Sequence, residues 1–288
     1  MIALALVVVA VLLAGPAPRV MARLPALRRS PRAALLAWQA VTLAAILAAL
    51  AAAPATLPIV LVDGQAVWQH VVLIMIAGAV SLIVLVRFLV AGHRIGTRMR
   101  ELRERHRELV DIIAEQDVRH PTLRILEHPA PTAYCLPGHR RGRVVVSRGV
   151  LLALSAPELG AVLAHEQAHL RARHDLLIEF FSVIHETVPE GLRATAAMSE
   201  VRLLAEVLAD RQAASRVGVS PTVRALGVLS AGPAPEASLS VSATATAPIR
   251  IRLLQDGPSP RRLTGAIYTY AALVLGLPIG LALLAIAT

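Results

Sequence analysis

AVLAHEQAHLRARHD, residues 161–175, decides how this chain is read. It carries His-Glu-x-x-His at His165, Glu166 and His169. Leu159, Val162, Leu163 and Leu170 recur at helical spacing and give one apolar stripe. On a helix, residues four apart share a face, so both imidazoles can reach one metal ion. Glu166 then lies beside a metal-bound water. Two neutral histidine ligands, a carboxylate base and an open position for water are what a zinc hydrolase needs. The helix start is marked upstream, where Ser155 and Glu158 form the Ser-x-x-Glu pattern of a capping box. The other reading of the stretch is a surface helix with two solvated histidines.

A second motif follows in SEVRLLAEVLADRQAASRVG, residues 199–218. Leu203, Leu204, Val207 and Leu208 supply a buried side, and Gly218 is a plausible stop. Glu206 and Asp210 again lie four apart. A site with two histidines needs a third protein ligand, and Glu206 is the natural carboxylate. Asp210, one turn on, is placed to accept a hydrogen bond from a ligand histidine and fix its tautomer. An ordinary acidic stripe on an amphipathic helix is the alternative.

The segment from Tyr134 to Asp210 resembles the gluzincin-type membrane metallopeptidases, in which His-Glu-x-x-His is followed by Glu-x-x-Ala-Asp. The resemblance is most specific to the BlaR/MecR-type antirepressor metallopeptidases. Heat-shock and prenyl-protein-processing membrane proteases share the motif pair. The lead-in AYCLPGHRRGRVVVSRGVLLALSAPELG also matches: an edge strand, a tight turn, a second strand, then the metal helix. The resemblance implies that His165, His169 and Glu206 bind Zn2+, that Glu166 is the catalytic base, and that Asp210 supports a ligand. It implies that an edge strand at Thr132, Ala133, Tyr134 and Cys135 pairs with an extended peptide substrate. APIRIRLLQ, residues 247–255, resembles the segment that closes the catalytic domain, with Ala247-Pro248 where the family usually has His-Pro. The antirepressor sensors carry a penicillin-binding domain after their last membrane helix. No such sensor domain is expected after the fourth segment here, and β-lactam sensing is therefore not expected.

The chain has 288 residues and is 56% hydrophobic, too apolar for an ordinary soluble domain. Every basic residue is Arg. The net charge of +10 admits a nucleic-acid partner, but basic cytoplasmic flanks of a membrane protein explain it better, and no direct nucleic-acid contact is expected. Cys135 is the only cysteine, so no intramolecular disulfide forms.

Four apolar segments stand out, at about 1–18, 33–53, 67–90 and 264–287. The first reaches spanning length only if counted to Pro18; a signal peptide is the alternative, though its charges follow the apolar run. The connection RVMARLPALRRSPR has five Arg and no acid, PATLPIVLVDGQ has no base, and the third segment runs out into RFLVAGHRIGTRMRELRERHRELV. The positive-inside rule therefore puts both termini outside and the region between the third and fourth segments in the cytoplasm. Residues 122–147 read as short strands between Pro and Gly turns. Residues 176–189 read as a buried helix, and residues 219–248, rich in Ala, Ser, Pro and Thr, as a loose loop or lid.

The expected architecture is an α-helical integral membrane protein. An α+β gluzincin-like zinc metallopeptidase domain, residues 93–262, is inserted between the third and fourth transmembrane helices; residues 1–92 and 263–288 form the membrane part. The expected function is endopeptidase cleavage of a cytoplasmic protein in signalling, a winged-helix transcriptional repressor being the partner that the resemblance implies, with the lipid bilayer as surroundings. A membrane quality-control protease and a non-catalytic membrane scaffold or sensor are the alternatives. His174, His185 and Arg211 are candidates for stabilising the oxyanion.

Overall fold

The computed structural model describes residues 1–62, 64–118, 120–138, 142–231, 243–257 and 259–287. Its elements are α1 (Ile2–Ala14), α2 (Pro16–Ala22), α3 (Pro31–Ala51), α4 (Leu57–Val62), α5 (Gly64–Ile113), β1 (Glu115–Gln116), β2 (Leu123–Leu126), β3 (Ala133–Leu136), β4 (Arg143–Ser147), α6 (Arg148–Ala153), α7 (Ala156–Ala172), α8 (His174–Thr187), α9 (Thr195–Val217), α10 (Val219–Ala231), α11 (Ala243–Gln255) and α12 (Arg261–Ala287). They pack as two compact units. One holds Met1–Ile95, Phe180–Val201 and Ser259–Thr288; the other holds Gly96–Glu179 and Arg202–Pro258.

The first unit is helical. Among the described residues four helical stretches that begin in this unit are long and apolar enough to cross a membrane: Ile2–Ala22, Pro31–Ala51, Val67–Ile113 and Arg261–Ala287. The first is made of α1 and α2 together, with Pro16 restarting the helix after Gly15. α3 packs on α1 and α12. Ala3, Ala10, Ala48, Ala49 and Ala52 form the α1–α3 seam around a fully buried Leu6. Small residues let helix backbones approach closely, which is how apolar helices associate without a hydrophobic drive between them. Ser81 on α5 donates to the Ala49 carbonyl at 2.7 Å and accepts from the Ala53 N–H at 3.1 Å, satisfying backbone groups at the α3 terminus.

Residues 180–201 belong to this unit, whereas a linear division at residues 92 and 262 puts them in the catalytic domain. Three arginines explain the difference. Arg87 donates to the carbonyls of Thr187 at 2.7 Å and Glu186 at 2.8 Å, closing the end of α8. Arg19 donates to Gly191 O at 3.1 Å and Arg193 O at 3.3 Å. Arg28 pairs with Glu200 through both carboxylate oxygens.

The second unit is built on a four-stranded sheet of order β1-β2-β4-β3. β2 and β4 are parallel; the β1–β2 and β3–β4 pairs are antiparallel. Alternation along β4 sends Val144 and Val146 into one cluster with Val150, Ala161, Val162 and Ala225, and Val145 into another with Val110 and Leu136. The first cluster seats α7 and α10 against the sheet. Where a loose loop or lid was expected over residues 219–248, the structure has α10 and α11; residues 232–242 lie outside the described part. Gly218, at φ 93, separates α9 from α10 in a conformation that glycine adopts without strain. α10 then starts with Pro221 in its first turn and buries Ala225 and Leu226. Burial against α7, not propensity, makes this Ser- and Pro-containing stretch helical.

Candidate metal centre

α7 opens on the expected capping box. The Ser155 side chain caps the backbone of the first turn, and Glu158 accepts from the Ser155 N–H at 2.9 Å. Arg224 of α10 holds the same carboxylate at 2.6 Å. α7 ends at Arg173, whose φ of 51 lies in the left-handed region and turns the chain at once into α8. α9 brings the acidic motif alongside, and α11 completes the site with Arg250.

His165, His169 and Glu206 each offer one ligand atom, and these atoms all lie within 4.8 Å of one another. The two Nε2 atoms are 3.1 Å apart. His165 Nε2 is 3.5 Å from Glu206 Oε2, and His169 Nε2 is 3.4 Å from Glu206 Oε1. Each imidazole is fixed from behind. His165 Nδ1 lies 3.0 Å from Asp210 Oδ1, and His169 Nδ1 lies 2.9 Å from His174 Nδ1. With Nδ1 of each ring engaged in this way, both Nε2 atoms are turned toward the same spot. Two ring nitrogens 3.1 Å apart, both facing one carboxylate, are close enough to share one cation.

The electrostatics agree. Burial pushes His169 down to about 3, which keeps it neutral and able to ligate. Burial also opposes charge on His165, but hydrogen bonds to Asp210 and Glu206 outweigh it and raise it to about 10, so the spot attracts positive charge. Burial opposes ionisation of Glu206 too, yet Arg250 and His169 hold it well below the usual carboxylate range. Two nitrogens and a carboxylate are the protein donor set of a catalytic zinc, and these residues fit it.

Arg250 is a residue that reading the motifs did not find. It donates to Asp210 through Nε at 2.7 Å and Nη2 at 2.6 Å, and its Nη1 lies 2.9 Å from Glu206 Oε2. Arg250 is 4% exposed and Asp210 is 2% exposed. A buried guanidinium that bridges both carboxylates lets them remain ionised in a low-dielectric place. The alternation IRIRLL in an otherwise apolar stretch is the only sequence signal for it.

Glu166 is buried, and burial raises its pKa above the ordinary carboxylate value. Its hydrogen-bond partner is the Cys135 thiol, whose own pKa is pushed far up, first by burial and then by Glu166. β3 therefore lies at the sheet edge with one side chain touching the Glu166 carboxylate. Ser147 N donates to Thr132 O at 2.9 Å, so antiparallel alternation turns the backbone groups of Ala133 and Cys135 away from β4, toward the open edge. Tyr134 meets His106 at 3.2 Å. Of the three oxyanion candidates, His174 contacts His169 instead, and His185 packs in the first unit.

A helix-borne pair of imidazoles, a carboxylate from a second helix and a neighbouring buried glutamate define a site of the zinc-hydrolase class. Comparison with known proteins narrows it. The sequence model of Peptidase family M48 matches residues 97–188, a stretch that includes His165, Glu166 and His169. "Plastoglobule-localized metallopeptidase 48, chloroplastic" from Arabidopsis thaliana is 32% identical over 122 residues, covering 39% of this chain and 36% of that protein. "Protease HtpX homolog" from Halobacterium salinarum is 34% identical over 68 residues, 24% of either chain. The chain thus spans about a third and about a quarter of the lengths of these two relatives. No solved structure matches. The likeness is to peptidases of this family and supports a zinc metallopeptidase, a hydrolase of peptide bonds.

Proposed function

We propose that this chain is a membrane-anchored, zinc-dependent endopeptidase whose catalytic unit is cytoplasmic, with His165, His169 and Glu206 as ligands and Glu166 as general base. The convergence of the two Nε2 atoms and the Glu206 carboxylate, each backed by its own partner, carries this reading. When bound, zinc supplies Lewis acidity that polarises a scissile carbonyl and makes water more acidic. The protein's residues do the rest. Asp210 and His174 hold the two imidazoles in the ligating tautomer. Glu166, with its raised pKa, takes a proton from the attacking water and hands it to the leaving amine. Cys135 holds the Glu166 carboxylate in place. The outward backbone groups of Ala133 and Cys135 offer a substrate a strand to pair with, which favours an extended protein segment over a small molecule.

The four apolar helices support insertion in a bilayer, with the Arg-rich connections on the cytoplasmic side and both termini outside. Within that frame the motif pair's likeness to the antirepressor metallopeptidases supports a regulatory substrate, a cytoplasmic transcriptional repressor. The test is cleavage by protein purified in lipid nanodiscs, offered a candidate repressor and an unfolded reporter. A chelator should abolish turnover and added zinc restore it. Selective cutting of the repressor supports the regulatory reading; equal cutting of both supports broad quality control. Zinc bound with neither substrate cut would point to a scaffold.

A further inference from the structure

The first unit carries a partly open apolar cavity of about 270 Å3 that the peptidase chemistry does not use. α1, α3 and α5 form its walls with the end of α8 and residues 188–198, all inside this one unit. One end lies among Ala10, Ala49 and Val80, deep in three of the apolar helices. The other lies at Pro18, Trp38 and Arg193. From Trp38 to Ala49 the cavity runs about 16 Å along α3 at the helical rise of ~1.5 Å per residue. That is close to half of the ~30 Å hydrocarbon thickness of a bilayer, the depth of one leaflet.

The two ends differ in character. The deep end is lined by aliphatic side chains only. At the other end Arg193 lines the cavity, Arg19 binds the Arg193 carbonyl, and Arg87 binds the nearby ends of α8. Glu186 and Glu190 offset part of this charge, leaving one positive charge in excess among these five groups. This is also the side on which the Arg-rich connections fall. An apolar slot one leaflet deep, cationic where it meets the headgroup region, has the shape and charge of a site for one lipid chain.

We propose that this cavity binds a single acyl chain of a membrane phospholipid, with the phosphate at the Arg193 end. The proposal rests on the membrane reading of the chain and is independent of the peptidase reading.

The chain has two tryptophans, which makes the test direct. Trp38 is buried beside the cavity, and Trp68 is 81% exposed on α5. The full chain is reconstituted in phosphatidylcholine vesicles whose chains are brominated in the half nearest the headgroup. Trp68→Phe leaves Trp38 as the emitter; Trp38→Phe leaves Trp68. Both should be quenched. Filling the wall with Ala45→Leu, or independently with Val84→Phe, should cut Trp38 quenching at least about twofold and leave Trp68 unchanged. Quenching of Trp68 without Trp38 would overturn the proposal and keep the membrane reading; quenching of neither would overturn both. Trp38 quenching indifferent to both wall variants would overturn it, because the bromines would then act from outside. So would native mass spectrometry that found a ligand other than phospholipid retained in wild type and lost in the wall variants.

Discussion

Arg250 grips Asp210 with two hydrogen bonds, Nε to Oδ2 at 2.7 Å and Nη2 to Oδ1 at 2.6 Å, across 40 residues of chain and almost without water. Removing one partner of such a pair leaves a buried charge uncompensated, at about 3–5 kcal/mol. Arg250→Met should therefore lower the thermal midpoint and deplete zinc together. Arg250→Lys should recover only part of either, because an ammonium cannot span both carboxylates as the guanidinium fork does. Melting curves with metal analysis check this. Wild-type behaviour of Arg250→Met would show that the grip supports neither fold nor site.

The carboxylates of α9 should separate by role. Glu206→Ala should lose most of the zinc, since two imidazoles alone hold it weakly. Asp210→Asn should keep a measurable site weakened ~10–100-fold, the usual effect of losing a ligand's hydrogen-bond partner. Zinc titration with a competing chelator measures both. Full zinc retention by Glu206→Ala would remove Glu206 from the ligand set.

Glu166→Gln keeps the shape of the side chain but cannot take a proton. Zinc content and fold should stay near wild type while peptide cleavage falls by at least ~10²-fold, the typical size of a lost general base. Equal cleavage by both proteins would mean a contaminating protease.

Ala133→Pro deletes an N–H that points away from β4, so the ladder should survive while one hydrogen bond to an extended substrate is lost. The expected result is a melting curve close to wild type and a KM raised several-fold, at about 1 kcal/mol for one backbone hydrogen bond. An unchanged KM would exclude this edge as the substrate strand.

The Glu158 carboxylate gives a pH signature. Arg224 and Ser155 hold it down to about 2, below the 4.5 of a free side chain. A depressed folded-state value stabilises above the unfolded pKa, so the contribution is complete above about pH 4.5 and disappears as the pH falls toward 2. Glu158→Gln should melt lower than wild type above pH 5, and the two curves should converge on acidification. A constant gap down to pH 2 would mean that the charge is irrelevant to the cap.

The helix of the two histidines and the helix of the two acids were legible because each combines a 3.6-residue apolar stripe with polar groups four apart. The strands at Leu123, Ala133 and Arg143 were legible from β-branched runs between Pro and Gly turns. Arg250 was not, because its meaning lies in partners 40 and 44 residues away. α10 and α11 were missed because Ser, Thr and Pro mask a helix stabilised by packing. Residues 180–201 gave no sign of joining the first unit: the segment is too short to span, Arg87 and Arg19 hold it by backbone carbonyls, which leave no side-chain pattern, and the Glu200 that Arg28 holds is 172 residues away.

The left-handed turn at Arg173 joins α7 to α8 with no intervening loop, so the His174 that backs His169 lies only five positions further on. A single added residue in a helix turns everything after it by about 100°. The metal centre is thus written in chain length as much as in residue identity. Point changes around it can be graded, but one insertion or deletion between residues 165 and 174 would dismantle it outright. Natural variants of this segment should therefore differ by substitution and keep its length constant, while the connections on either side are free to grow.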